Sequence, residues 1–322
     1  MTKLGAIDFD DRIIDALRDN QLIIFAGAGV SMGPPSNLDS FWKLASNIAR
    51  GTNQEPIEPF DRFLGQLHHN GVAVHERAAQ FPSPEDSAPN ALHYDLLRLF
   101  RSVDQIKLVT TNFDLHFETA ASALFGALPD VYRAPALPLG HDFSGIVHVH
   151  GALPQNSNLI LTDADFGRAY LTEGWARRFL VDVFRRFTVL FVGYSHDDVV
   201  MNYLARALPA ENIGNRFALT DKEESWELLG ITPINFVKGT GEEPYQELYD
   251  GLKRLAERTA RGALDWQSRL AEIGNHAPPT DEEAISEIEQ ALRELHTTRF
   301  LLNVVRGPDW LHWLNARKHL NS

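Results

Sequence analysis

Leu22-Ile23-Ile24-Phe25-Ala26 runs directly into Gly27-Ala28-Gly29-Val30-Ser31, and the reading of this junction decides the fold. Five consecutive apolar residues closed by a glycine turn read as a strand buried on both faces, as at the centre of a parallel sheet. Two glycines around a small residue, with a serine two positions on, let backbone N–H groups approach a pyrophosphate. A side chain at Gly27 or Gly29 would hold the phosphate away from the backbone. A helix pattern follows over about Leu38–Arg50, stopped by Gly51, and its positive dipole end would add to the attraction. Glycine turns between strand and helix are common, so the junction needs company elsewhere in the chain.

Outward from it, strand and helix patterns alternate. Further strands are expected at Ile106–Thr110, Ile146–Val149, Leu159–Leu161, Val189–Val192, Phe217–Leu219 and Ile234–Val237. Helices are expected over Asp114–Leu124, Glu173–Phe187, Val199–Ala207 and, briefly, Lys222–Leu229. That rhythm predicts an α/β fold: a Rossmann-like open parallel sheet with helices on both faces. Residues 52–105 interrupt it with five prolines and helix-like pieces near Phe60–Asn70 and Ala91–Arg101, and read as a helical insertion poised as a lid. The main domain is taken as residues 1–260. A C-terminal helical segment, 261–322, follows. Within it His276-Ala277-Pro278-Pro279 reads as a linker, and Thr280 with Glu283 as a capping box for a helix carrying Ile285, Ile288, Leu292 and Leu295. The aromatic-rich Asp309-Trp310-Leu311-His312-Trp313-Leu314 needs a partner surface. Either these helices dock back on the α/β core, or they begin a further domain or form a protomer contact.

The 322 residues are 44% hydrophobic and 10% aromatic, enough for a sizeable core. Lysine and arginine total 30 against 43 acidic residues, a net charge of −13, which argues against direct binding to nucleic acid or an anionic membrane. The densest basic pairs, Arg177-Arg178 and Arg185-Arg186, fall on a helix pattern and read as its solvated face. With no cysteine, disulfides, thiolate nucleophiles and cysteine-ligated zinc are excluded. No apolar run is long enough to span a bilayer, and a soluble cytoplasmic protein is expected.

Three strand ends carry chemistry. Thr110-Thr111-Asn112-Phe113-Asp114 places an amide and a carboxylate where open parallel sheets bind ligands, although such residues also serve as helix caps. In Ile146-Val147-His148-Val149-His150-Gly151, alternation puts both histidines on one face. His150 can then act as a general base beside a glycine that frees the backbone, while His148 reads as structural. A His-x-His pair also suits a metal, but no second cluster with ligand spacing accompanies it. Val192-Gly193-Tyr194-Ser195 ends another apolar strand ahead of Asp198, a further candidate cap.

In combination and in this order, Gly27–Ser31, Thr110–Asp114, His150-Gly151 and Val192–Ser195 resemble the SIR2 (sirtuin-like) family over roughly residues 15–240. The resemblance implies an NAD site in which Asn112 and His150 take the catalytic places and Asp114 lies near the nicotinamide and ribose. Gly27, Ala28, Gly29 and Ser31, with Thr111, would hold the dinucleotide, and Gly193, Ser195 and Asp198 would lie on its adenosine side. Protein-deacylating sirtuins carry a four-cysteine zinc module and a Pro-Asp-Phe-Arg segment after the first loop. This chain lacks the cysteines and has Met32-Gly33-Pro34-Pro35-Ser36 there. It is more similar to the bacterial SIR2-like effectors of antiphage defence, which hydrolyse NAD, and the stretch Leu159–Phe166 resembles that branch as well.

The resemblance therefore implies an NAD glycohydrolase without zinc, with NAD as substrate. It implies control by homo-oligomerisation and by a sensor domain or partner protein. The alternatives are an NAD-dependent deacylase or ADP-ribosyltransferase, and a non-catalytic NAD or ADP-ribose sensor.

Overall fold

A hairpin, β1 (Thr2–Leu4) and β2 (Ile7–Phe9), leads into α1 (Asp11–Arg18), whose N-terminus is capped by the Asp10 carboxylate accepting from Arg12 N–H at 2.9 Å. The apolar run Leu22–Ala26 then forms β3, every residue of it buried. The computed structural model describes residues 1–80, 86–153, 158–194, 213–222, 226–241 and 244–319. Ser195, Asp198 and the helix expected over Val199–Ala207 lie outside the described residues.

After β3 come α2 (Phe41–Ile48), α3 (Phe60–His69), α4 (Val74–Ala79) and α5 (Ala91–Leu97), then β4 (Lys107–Thr110) and α6 (His116–Phe125). Short β5 (Val131–Arg133) and β6 (Gly145–His148) precede α7 (Asp163–Gly167) and α8 (Trp175–Arg186), and β7 (Thr188–Val192), β8 (Arg216–Thr220) and β9 (Thr232–Asn235) complete the sheet. The described helices continue with α9 (Gln246–Ala260), α10 (Ala263–Gly274), α11 (Glu282–Ala291), α12 (Leu295–Val304) and α13 (Pro308–Ala316).

The seven strands stand in the order β5-β6-β4-β3-β7-β8-β9, each parallel to its neighbours. With β5 set aside at the edge, the remaining six follow the doubly wound order 3-2-1-4-5-6. The direction of winding reverses between β3 and β7, so a crevice opens at the carboxyl ends of those two strands.

Strand alternation feeds both faces. Leu22, Ile24 and Ala26 pack with Leu108 and Leu190 against α1, α5, α6 and α9. Ile23 and Phe25 pack with Val109, Val189 and Phe191 against α8, where the Phe25 ring stacks 6.2 Å from Phe184. Each such large side chain stabilises the fold by about 1.5–3 kcal/mol on burial. The exposed edge of α8 carries Arg177, Arg178, Arg185 and Arg186, as its pattern predicts.

Two expectations are corrected. Leu159–Leu161 is not a strand: Leu159 and Leu161 turn into a third apolar cluster formed by α2, α3 and α4, while Ile160 faces the α8 side. Helix α11 is capped not by Thr280 but by Asp281, which accepts from Ala284 N–H at 2.8 Å, and Glu283 instead pairs with Arg254 on α9. Within residues 52–105, α3 and α4 join the third cluster, whereas Leu92, Leu96 and Leu97 of α5 belong to the core beneath the sheet.

The C-terminal helices form a fourth cluster around Trp266, Leu270, Ile288, Leu301 and Trp310. They dock on the α/β unit: Arg293 pairs with Asp11, Lys3 with Glu282, and Arg258 of α9 donates to the Ser286 carbonyl at 2.8 Å. Glu287, 1% exposed, receives both Arg261 and Arg269. Removing that buried acceptor takes the carboxylate from Arg261, while Arg269 keeps Glu272 at 2.8 Å. The variant Glu287→Ala is accordingly expected to lose about 1–3 kcal/mol of stability, read from its urea midpoint; an unchanged midpoint contradicts this account of how α10 and α11 are held to the end of α9.

Candidate functional site

The turn after β3 is shaped by the end of β7. Gly27 N–H donates to the Val192 carbonyl and Gly29 N–H to the Gly193 carbonyl, both at 2.9 Å. A Cβ at Gly27 would stand 2.7 Å from the Gly193 oxygen, and one at Gly29 would stand 2.9 Å from the Gly193 Cα. Gly193 itself has φ +76°, and a Cβ there would lie 2.6 Å from Val30 N. The three glycines are therefore mutually required, a packing reason for them beyond ligand access. Beyond Gly27 the chain makes a short 3-10 turn, Ala28–Ser31, and α2 begins only at Phe41. The expected helix thus exists, but it does not spring from the glycine turn.

Ala28, Gly29, Ser31 and Gly193 line a cavity of about 2030 Å³ that is also reached by Thr111, Asn112, Asp114 and His150. Gly27 lies behind this wall. Asn112, 7% exposed, donates through Nδ2 to the Gly27 carbonyl and to Ser31 Oγ, each at 3.1 Å, and so ties the end of β4 to the glycine turn. Ser31 Oγ in turn donates to Asp114 Oδ2 at 3.0 Å. The other carboxylate oxygen, Oδ1, accepts from His116 N–H at 3.0 Å, so Asp114 both starts α6 and faces the cavity. Thr111 Oγ1 lies 2.8 Å from Tyr194 Oη, whose hydroxyl reaches the Ala26 carbonyl.

Two residues of this network are invisible in the sequence. Asn90 donates from Nδ2 to the Val30 carbonyl at 2.8 Å, and His93 Nε2 lies 3.2 Å from Ser31 Oγ. Burial, with the neighbouring His116, pushes His93 down to about 3, leaving it neutral. Both come from the start of α5, some sixty residues from the turn they hold, and no local motif marks them.

His148, the last residue of β6, and His150, two residues beyond it, do not share a face, which corrects the alternation argument. The ladder ends at His148, and the chain then turns at Gly151, with φ +85° and its N–H donating to the His148 carbonyl. His148 points toward α6, with Nδ1 3.0 Å from the Asn112 carbonyl and Nε2 2.9 Å from Glu118 Oε1. A carbonyl only accepts, so Nδ1 carries a proton and His148 braces the backbone of Asn112 from behind. His150 points the other way, into the cavity wall. Its Nε2 lies 2.9 Å from Tyr170 Oη and its ring stands edge-on to Phe166. Burial pushes His150 down to about 3.

Phe166 and Tyr170 are held by α7. The Thr162–Asp165 capping box starts it, and Asp165 accepts from Leu161 and Thr162 N–H and pairs with His75 of α4 at 2.8 Å. Among the described residues no group of three or more His, Cys, Asp or Glu side chains is placed to hold a metal ion, and no helix is long and apolar enough to cross a membrane.

This is a doubly wound α/β protein with a cavity at its switch point, the position at which that class of fold binds ligands. Residues 107–234 match the SIR2-like domain; Asn112, His150 and Gly193 all fall inside the matched stretch. The chain is 30% identical over 287 residues to the uncharacterized protein y4cA of Sinorhizobium fredii (strain NBRC 101917 / NGR234). That match takes in 77% of this chain but only 24% of the relative. A solved structure described as the structural basis for the mechanism and regulation of Sir2 enzymes covers 78% of this chain and 98% of its own, at 14% identity and a TM-score of 0.40.

The His75–Asp165 pair gives a stability test with a definite sign. The hydrogen bond to Asp165 raises the His75 pKa in the folded state. Its contribution is therefore complete below the unfolded value, about 6.5, and is lost as pH rises through the folded value. The denaturant midpoint is expected to fall across that interval in the natural protein and to lose that part of the slope in His75→Gln. Parallel pH profiles for the two proteins would contradict the pairing.

Proposed function

We propose that the protein is an NAD glycohydrolase, releasing nicotinamide and leaving ADP-ribose. The observation that carries this reading is the convergence of Asn112 and His150, from the ends of two different strands, on the cavity lined by Ala28, Gly29, Ser31 and Gly193. The SIR2-like match over residues 107–234 supports it. The cavity is large enough for a dinucleotide, and its mixture of backbone, amide, carboxylate and imidazole groups suits a phosphorylated ribosyl substrate.

In the reaction, the bond between the nicotinamide nitrogen and the ribose carbon breaks, and nicotinamide departs neutral with the bonding pair. The oxygen of water bonds to that carbon, and the proton it loses passes to His150. The transition state is oxocarbenium-like, so a fixed negative charge nearby lowers it. Asp114 supplies that charge. The amide hydrogens of Asn112 are engaged by Gly27 and Ser31, which leaves its Oδ1 carbonyl to orient a ribose hydroxyl or the water. His150, neutral, accepts the proton. Gly27 acts by shaping the wall rather than by contact.

We further assign the protein to the cytoplasm, as a regulated effector of antiphage defence that is held inactive until it assembles with copies of itself or with a sensor or partner. The resemblance to the defence branch and the toxicity of uncontrolled NAD loss support that assignment. The chain spans 24% of the length of its curated relative, which leaves room for such a sensor in proteins of this kind.

The test is incubation of the purified chain with NAD, dilute and assembled, with products identified in the presence and absence of an acyl-lysine peptide. Nicotinamide and ADP-ribose without peptide are expected. Turnover only with peptide points to deacylation, and binding without turnover in every assembly state points to a sensor. His150→Ala and Asn112→Ala are each expected to lose about 10²–10⁴-fold in rate, and full activity in both contradicts the assignment. With His150 pushed down to about 3, the base is already deprotonated near pH 5, so no rise in rate from this group is expected between about pH 5 and 8.

A further inference from the structure

Tyr170 is not part of any motif that marks the site, yet its hydroxyl is the polar partner of His150 Nε2, at 2.9 Å. Both side chains are buried, at 2% and 3% exposure, and two aromatic rings stand edge-on to the imidazole, Phe166 at 5.2 Å and Tyr170 itself at 6.0 Å. Tyr170 sits in a single π-helical turn, Arg168–Thr172, wedged between α7 and α8. Such turns are uncommon and are found disproportionately at functional sites, because the extra residue re-aims a side chain. Here the turn leaves Tyr170 facing His150 while its ring stacks on Phe166 at 18°.

A neutral imidazole has one N–H and one lone pair, and the partner of one nitrogen decides the role of the other. If Tyr170 donates to Nε2, the proton of His150 lies on Nδ1, which can then only donate. If Tyr170 accepts from Nε2–H, Nδ1 carries the lone pair and can act as a base. We propose that Tyr170 is a positioning residue for His150: its hydroxyl oxygen accepts the Nε2–H, fixes that tautomer and leaves Nδ1 as the proton acceptor. The inference rests on the glycohydrolase reading for the use made of that base. When Nδ1 takes the proton from water, Nε2–H stays on Tyr170, which then stabilises the imidazolium between the Phe166 and Tyr170 rings. Tyr170 neither gains nor loses a proton in this step.

The experiment is nitrogen-15 NMR of histidine-labelled protein without ligand, with His150 assigned by the loss of its signals in His150→Gln. The natural protein is expected to show a protonated, pyrrole-type Nε2 and an unprotonated, pyridine-type Nδ1. In Tyr170→Phe, which keeps the ring and its stacking, that preference is expected to collapse toward a mixture of tautomers. The same variant is expected to lose roughly 10- to 100-fold in kcat for NAD, a part of what the base itself supplies, with KM changed less than about threefold. A protonated Nδ1 in the natural protein overturns the proposal, as does an unchanged tautomer and kcat in Tyr170→Phe. If the natural protein does not cleave NAD at all, the glycohydrolase reading fails, and the tautomer still decides the role of Tyr170.

Discussion

The structure depends on one close approach: the backbone of Gly27 and Gly29 against that of Gly193, where β3 and β7 diverge. Two N–H···O=C bonds of 2.9 Å hold the two strand ends together, and a methyl group at any of the three positions would meet backbone at 2.6–2.9 Å. That contact closes the floor of the switch-point crevice. Three of the polar side chains in the site are referenced to it. Asn112 is anchored on the Gly27 carbonyl, Ser31 on Asn112, and Asp114 on Ser31.

The site also has an outer frame. Asn90 and His93 hold the glycine turn from α5, His148 braces the backbone of Asn112, and Tyr170 faces His150 from the π-helical turn. The cavity groups are thus fixed by neighbours whose own positions are set by buried packing. An arrangement of that kind loses little on ordering when a ligand binds and keeps reacting groups aligned. The helices of residues 52–105 contribute to this frame from two sides, through α5 below the turn and through His75 of α4 on Asp165.

Much of this was legible in the chain. Runs such as Leu22–Ala26 and Val189–Val192 are apolar at every position because both faces of a central parallel strand are covered, and that signal is local. Asn112, His150 and Gly193 were readable because each lies at or just past a strand end, where the fold puts its ligands. The failures were non-local. Leu159–Leu161 looks like a strand, but its leucines are buried by helices from residues 41–79, which strand periodicity does not encode. Alternation puts His150 on the face of His148 only when carried two residues past the end of the ladder. Asn90, His93 and Tyr170 act through partners 20–62 residues away, and nothing beside them in the sequence points there.

The central claim is that the crevice between β3 and β7 is the dinucleotide site. A crystal structure of the protein with ADP-ribose tests it most directly. The account predicts the pyrophosphate against Ala28–Ser31 and Gly193, with the distal ribose beside Asn112 and His150. Density for the ligand elsewhere in the cavity, clear of the glycine turn and of both side chains, would contradict it.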